Sequence, residues 1–158
     1  MSQERESPAP CLPVLILGVG NILLSDDGVG VCCIEAMRGM TLPDNVELVD
    51  GGTASMDLLD DFVNREKVII VDAVKGGGEP GAVYRFSPAD IEARRHMLGS
   101  VHEIGLLEGL TMAEHLGGTS QNVTIYGIEP KELGWGLELS PEVAAAVPRV
   151  IELVLSEL

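Results

Sequence analysis

Four residues in this sequence could together do metal or hydrolytic chemistry: Asp27, Asp50, Asp72 and His102. The three aspartates follow apolar runs, as residues do where a strand reaches its end. Asp27 sits in Gly18-Val19-Gly20-Asn21-Ile22-Leu23-Leu24-Ser25-Asp26-Asp27-Gly28-Val29-Gly30, Asp50 opens Asp50-Gly51-Gly52-Thr53, and Asp72 closes Ile69-Ile70-Val71-Asp72. His102 lies in Ser100-Val101-His102-Glu103, a capping box with Ser100 as N-cap and Glu103 as N3. The imidazole then falls in the first turn of a helix, where the dipole disfavours imidazolium and keeps the ring neutral. Two carboxylates and a neutral imidazole form a mixed oxygen and nitrogen donor set. Such a set suits a divalent transition ion such as nickel or zinc, with positions left open for substrate.

Each residue has a plainer reading when taken alone. An aspartate at a strand end is usually a turn or cap residue, and Asp26 and Asp27 could simply cap the helix that follows them. A single helical histidine is more often structural, and His96 and His115 keep that reading. The argument for a site is convergence. If the strands before Asp27, Asp50 and Asp72 are parallel, their carboxyl ends share one edge of a sheet, where open α/β folds bind ligands.

The elements that must position these residues are legible in the pattern. Pro13 to Leu17 is continuously apolar, as in a strand buried on both faces. From Val29 the period becomes helical, with Val29, Cys33, Ala36, Met37 and Met40 on one face. Val46 to Val49 and Val68 to Val71 read as further strands, with a short helix over 55–63 between them. Gly76-Gly77-Gly78 reads as a mobile loop. In Ala82 to Phe86 one face is apolar and the other mixed, which suggests an edge strand. A helix follows the capping box, Val123 to Ile128 is a fifth strand, and Ser140-Pro141 opens a last helix with proline at its favoured first position. Pro148 is expected to kink that helix. The order β-α-β-α-β-β-α-β-α predicts a mostly parallel five-stranded sheet between helical layers.

Other chemistries fail on inspection. A dinucleotide fingerprint would need glycine at position 23, which is Leu23, and an acidic pair stands where phosphate would lie. A zincin would need a second histidine at position 106, which is Leu106. Acidic residues outnumber basic ones 25 to 10, a formal net charge of −15. This argues against nucleic acid, whose affinity comes largely from Lys and Arg contacts to phosphate. It argues equally against anionic membranes. With 158 residues the chain is expected to fold as one domain over 13–158, preceded by a flexible tail over 1–12 without a signal-peptide pattern. Cys11, Cys32 and Cys33 match neither a disulfide framework nor a CxxC site, so buried thiols in a reducing cytoplasm are expected.

The Gly18–Gly30 motif, Asp50-Gly51-Gly52-Thr53, Ile69-Ile70-Val71-Asp72-Ala73, the His102 helix with its leucines, and Gly127-Ile128-Glu129-Pro130 stand in an order and spacing that resembles the hydrogenase maturation endopeptidases. These are the processing proteases of [NiFe] hydrogenase large subunits. The resemblance runs from about Val14 to the C-terminus. It implies a three-layer α/β/α sandwich with a twisted five-stranded sheet, one strand antiparallel, and it places the family's metal-binding trio on Asp27, Asp72 and His102. It implies a nickel-loaded large-subunit precursor as partner and substrate, cleaved once near its C-terminus. With no excess of exposed apolar residues evident in the sequence, a monomer is expected. The nickel is that of the substrate, and zinc or cadmium are expected to substitute for it. Asp50, beside the cleft, is a candidate general base. The competing expectation is a non-catalytic nickel-binding module on the same scaffold.

Overall fold

Strand β1 (Val14–Val19) is buried at every position, so it must lie in the interior of the sheet. In the computed structural model, which describes residues 13–53, 65–93 and 122–158, it does. It runs parallel to β2 (Val46–Gly52) on one side and to β3 (Lys67–Ala73) on the other. Beyond β3 come β5 (Val123–Ile128), also parallel, and β4 (Val83–Phe86), antiparallel at the edge. The order is β2-β1-β3-β5-β4. The edge position expected for Ala82 to Phe86 is therefore observed, and this strand is the antiparallel one.

Three helices are assigned among the described residues: α1 (Val29–Arg38), α2 (Pro88–Ala93) and α3 (Pro141–Leu155). Strand alternation explains how the sheet is covered. Ile16, Ile69, Val71, Tyr126 and Ile128 point to one face, where Cys33, Ile34 and Met37 of α1 and Val143, Val150, Ile151 and Val154 of α3 pack on them. Leu15, Leu17, Val19, Val68, Ile70 and Ile125 form a second buried cluster on the other face. Almost all of this core is aliphatic, as the scarcity of aromatic residues requires.

Several details differ from, or add to, the expectations. Strands β1, β2 and β3 all extend past the apolar runs, so that Asp50 and Asp72 lie within strands rather than after them. Helix α3 is continuous through Pro148. Pro148 and Ala144, whose carbonyl loses its bond there, are both on the exposed face, so water can satisfy that carbonyl. Gly76 and Gly78 each make a hydrogen bond to a side chain. The Gly76 N–H donates to Glu129 Oε2 at 2.6 Å, and the Gly78 N–H donates to the Tyr84 hydroxyl at 2.9 Å. Cys33 is buried as expected, whereas Cys32 is half-buried. The segments over 1–12, 55–63 and 100–110 lie outside the described residues, and His96, His102 and His115 with them. No described helix is long and apolar enough to cross a membrane.

Candidate active site

The strand order makes β1 and β3 neighbours whose following connections leave in opposite directions, one to β2 and the other toward β5 and β4. The gap between their carboxyl ends is a topological switch point, the place where an open α/β sheet forms its ligand crevice. Asp27 follows β1 and Asp72 ends β3, so these two carboxylates flank that gap. The link from β1 to α1 is a 3-10 turn over Ser25–Gly28, buried throughout and packed against β3.

Two glycines let the turn sit there. Gly20 has φ of 136°, and a Cβ on it would lie 1.9 Å from the Asp27 carbonyl oxygen. A Cβ on Gly30 would lie 2.2 Å from the Val71 carbonyl oxygen and 2.6 Å from that of Val19. The first turn of α1 is thus pressed directly onto the ends of β1 and β3, which carries Asp27 to the rim. The Asn21 N–H donates to Asp27 Oδ2 at 2.9 Å, fixing one carboxylate oxygen. Asp72 is buried, and its Oδ1 accepts from the Ala73 N–H at 2.8 Å.

Asp26 does something different from its neighbour. Neither aspartate caps α1, whose N-cap is Gly28 with no side-chain bond. Asp26 is fully buried and collects the N–H groups of Lys131 and Glu132 on Oδ2, at 2.9 and 2.8 Å, and that of Ser140 on Oδ1 at 2.7 Å. The Ser140 hydroxyl donates to Oδ2 at 2.8 Å. Burial alone would raise the pKa of this carboxyl, but the four donors outweigh it and hold the group below its ordinary value. Asp26 therefore ties the strap over 131–140 to the turn that carries Asp27. Its signal in the sequence is only that it is one of a pair.

Asp50 is placed otherwise. It lies level with Gly18 of β1, which in turn lies level with Val71 of β3. Side chains at one level share a face, so Asp50 belongs to the α1 face and Asp72, one residue further along, to the opposite face. Asp50 is exposed and accepts from the Gly52 N–H at 3.0 Å, a local turn interaction. Glu129, at the end of β5, was not singled out by the sequence as a functional group. It is buried and joins the Gly76 N–H to the Tyr84 hydroxyl, which bounds the same edge of the sheet.

A carboxylate pair at a sheet's switch point is a geometry found in several enzyme classes, and comparison with known proteins decides between them. The model of the hydrogenase maturation protease family matches residues 31–157. The hydrogenase 2 maturation protease of Escherichia coli is 38% identical over 147 residues, covering 92% of this chain and 90% of its own. This chain belongs to the hydrogenase maturation protease family.

It is accordingly a peptidase, and the solved relatives share its architecture. The E. coli hydrogenase maturating endopeptidase HybD superposes with a TM-score of 0.86 at 37% identity, over 92% of this chain and 91% of that one. The [NiFe] hydrogenase maturation protease HybD of Thermococcus kodakarensis gives 0.76 at 29% identity, over 91% and 97%.

Proposed function

We propose that this chain removes a C-terminal peptide from the nickel-loaded precursor of a [NiFe] hydrogenase large subunit, working as a monomer in the cytoplasm. The observation that carries the reading is the pairing of Asp27 and Asp72 across the β1–β3 switch point in a chain of this family. In this reading Asp27 and Asp72 offer carboxylate oxygens to the substrate's nickel, and His102 supplies an imidazole nitrogen. The metal belongs to the substrate, so the protease would act only on a precursor whose cofactor has been inserted. Zinc or cadmium would bind the same donors in the absence of substrate.

The nickel can contribute in two ways. It can polarise the scissile carbonyl or the attacking water, or it can only dock the precursor while a carboxylate acts as general base. A carboxylate bound to a cation has a lowered pKa and is a poor base. Asp50, which lies outside the proposed metal trio, is the candidate for that base, although its register turns it to the face opposite Asp72. Replacing Asp50 with Asn separates the routes: a wild-type cleavage rate would leave Asp50 as a turn residue.

The deciding experiment incubates nickel-loaded and nickel-free precursor with catalytic amounts of this protein and reads intact mass. A single C-terminal loss, seen only with nickel and over many turnovers, is the expected result. Stoichiometric, nickel-dependent complex formation without turnover would instead make the chain a non-catalytic nickel-binding module.

A further inference from the structure

We infer that Trp135, Leu137, Ile22 and Leu23 form the docking surface for the body of the large-subunit precursor, beside the nickel-recognition site; the inference rests on the function proposed above. Trp135 is the only tryptophan of the chain, and it is 83% exposed. Leu137 is 78% exposed, Ile22 51% and Leu23 48%. Large apolar side chains grouped on a surface mark binding sites, and tryptophan is the residue most enriched among those that anchor protein interfaces.

The four residues lie on two segments far apart in sequence, which backbone pairing holds side by side. Leu24 and Gly136 form a parallel bridge. The Gly136 N–H donates to the Leu23 carbonyl at 2.9 Å, and the Ser25 N–H donates to the Gly136 carbonyl at 2.9 Å. The Ser25 hydroxyl donates to the Gly134 carbonyl at 2.8 Å. Ser25 itself takes φ of 51°, a left-handed conformation uncommon for serine. These bonds hold it there, and with the Asp26 cluster they fix the strap over 131–140 from both sides. The patch is therefore preorganised, which reduces the ordering cost of binding.

Position and charge select the occupant. The segment over 21–25 runs directly into Asp26 and Asp27, and the Asn21 N–H bonds the Asp27 carboxylate. A protein seated on Trp135 and Leu23 is thus presented to Asp27. The apolar group is flanked by exposed Glu132 and Glu138 on a chain of net charge −15. Two copies meeting here would oppose like charges. The complementary partner is a polypeptide offering an apolar anchor ringed by Lys or Arg, and the precursor is the partner this site must engage.

The single tryptophan makes the test direct. The protein is labelled with 5-fluorotryptophan, and its one 19F resonance is followed as nickel-loaded precursor is added, with complex formation read by sedimentation and cleavage by intact mass. The expected result is a shifted resonance that loses its H2O/D2O solvent isotope shift in the complex. In parallel, Trp135→Ala should raise KM by about 30-fold, the size of a hot-spot truncation, while Met40→Ala, an apolar truncation elsewhere on the surface, leaves KM unchanged. A precursor that is bound and cleaved while the Trp135 resonance stays at its free position would overturn the docking surface and leave the proposed activity intact. A resonance buried in a complex that is never cleaved would uphold the surface and overturn the activity. Absence of any complex would overturn both. A resonance that shifts with protein concentration alone would make the patch a homodimer face and overturn the inference.

Discussion

Asp26 and Ser140 stand 114 positions apart in the chain and are joined twice, the Ser140 N–H donating to Asp26 Oδ1 at 2.7 Å and its hydroxyl to Oδ2 at 2.8 Å. Ser140 is the N-cap residue of α3, yet its hydroxyl makes no capping bond. It is spent on Asp26 instead. One buried carboxylate thereby ties the start of the last helix to the turn that positions Asp27.

Removing that carboxylate should destabilise the protein rather than merely impair it. Asp26→Ala strands four donors in a buried site, an expected loss on the order of 3 kcal/mol. Urea unfolding followed by circular dichroism measures it. A loss below about 0.5 kcal/mol, the range of an ordinary surface substitution, would show that the strap does not depend on Asp26.

The same group gives a pH dependence of known sign. Its folded pKa lies below its unfolded value, so its contribution is complete above the ordinary aspartate range, near about 4, and is lost as pH falls through the lower folded value. The stability difference between wild type and Asp26→Asn should therefore be constant at neutral pH and shrink in acid. Urea midpoints measured from pH 7 down to pH 3 check this, and a difference that grew on acidification would contradict the assignment.

Asp27 should behave in the opposite way from its neighbour. Asp27→Asn keeps an oxygen that can accept the Asn21 N–H, so stability should change by about 1 kcal/mol or less. Cleavage of nickel-loaded precursor should fall by about 100-fold or more, given that losing even an outer partner of a metal site costs 10–100-fold. Parallel denaturation and mass-spectrometric turnover assays separate the two adjacent aspartates.

Gly30 tests the close packing of helix on sheet. Its substitution by Ala would put a methyl within 2.2 Å of the Val71 carbonyl oxygen and force the first turn of α1 away from the strand ends. The expected cost is roughly 1–3 kcal/mol, the usual range for overpacking, with a loss of activity larger than the stability change accounts for. Full activity at normal stability would mean that Asp27 does not need this approach.

Cysteine reactivity offers a check on the core. Burial first, and the neighbouring Cys32 second, push the Cys33 thiol up to about 12. The thiolate is the reactive form, so Cys33 should resist iodoacetamide at pH 8 in the folded protein and react fully in urea. Peptide mapping of the alkylated cysteines reads the outcome.

What the sequence by itself determined was local and periodic. Continuous apolar runs mark β1 and β3 because a parallel strand is buried on both faces, and the mixed face of Val83 and Arg85 marks an edge. The motif around Asp27 and its companions identifies the family. The periodicity cannot say which strands are neighbours. That β1 and β3 adjoin, so that Asp27 and Asp72 flank one crevice while Asp50 falls on the far side of β1, follows from the order in which strands pair. The role of Asp26 was equally invisible, because its partners Lys131, Glu132 and Ser140 lie more than a hundred positions away and only folding brings their three N–H groups and one hydroxyl to it. The segments that carry Trp135 and Leu23 likewise adjoin only through the Leu24–Gly136 bridge. Local chemistry is written in residue types and spacing, whereas these long-range pairings are selected by burial and hydrogen bonding of the whole chain, which no short stretch of it contains.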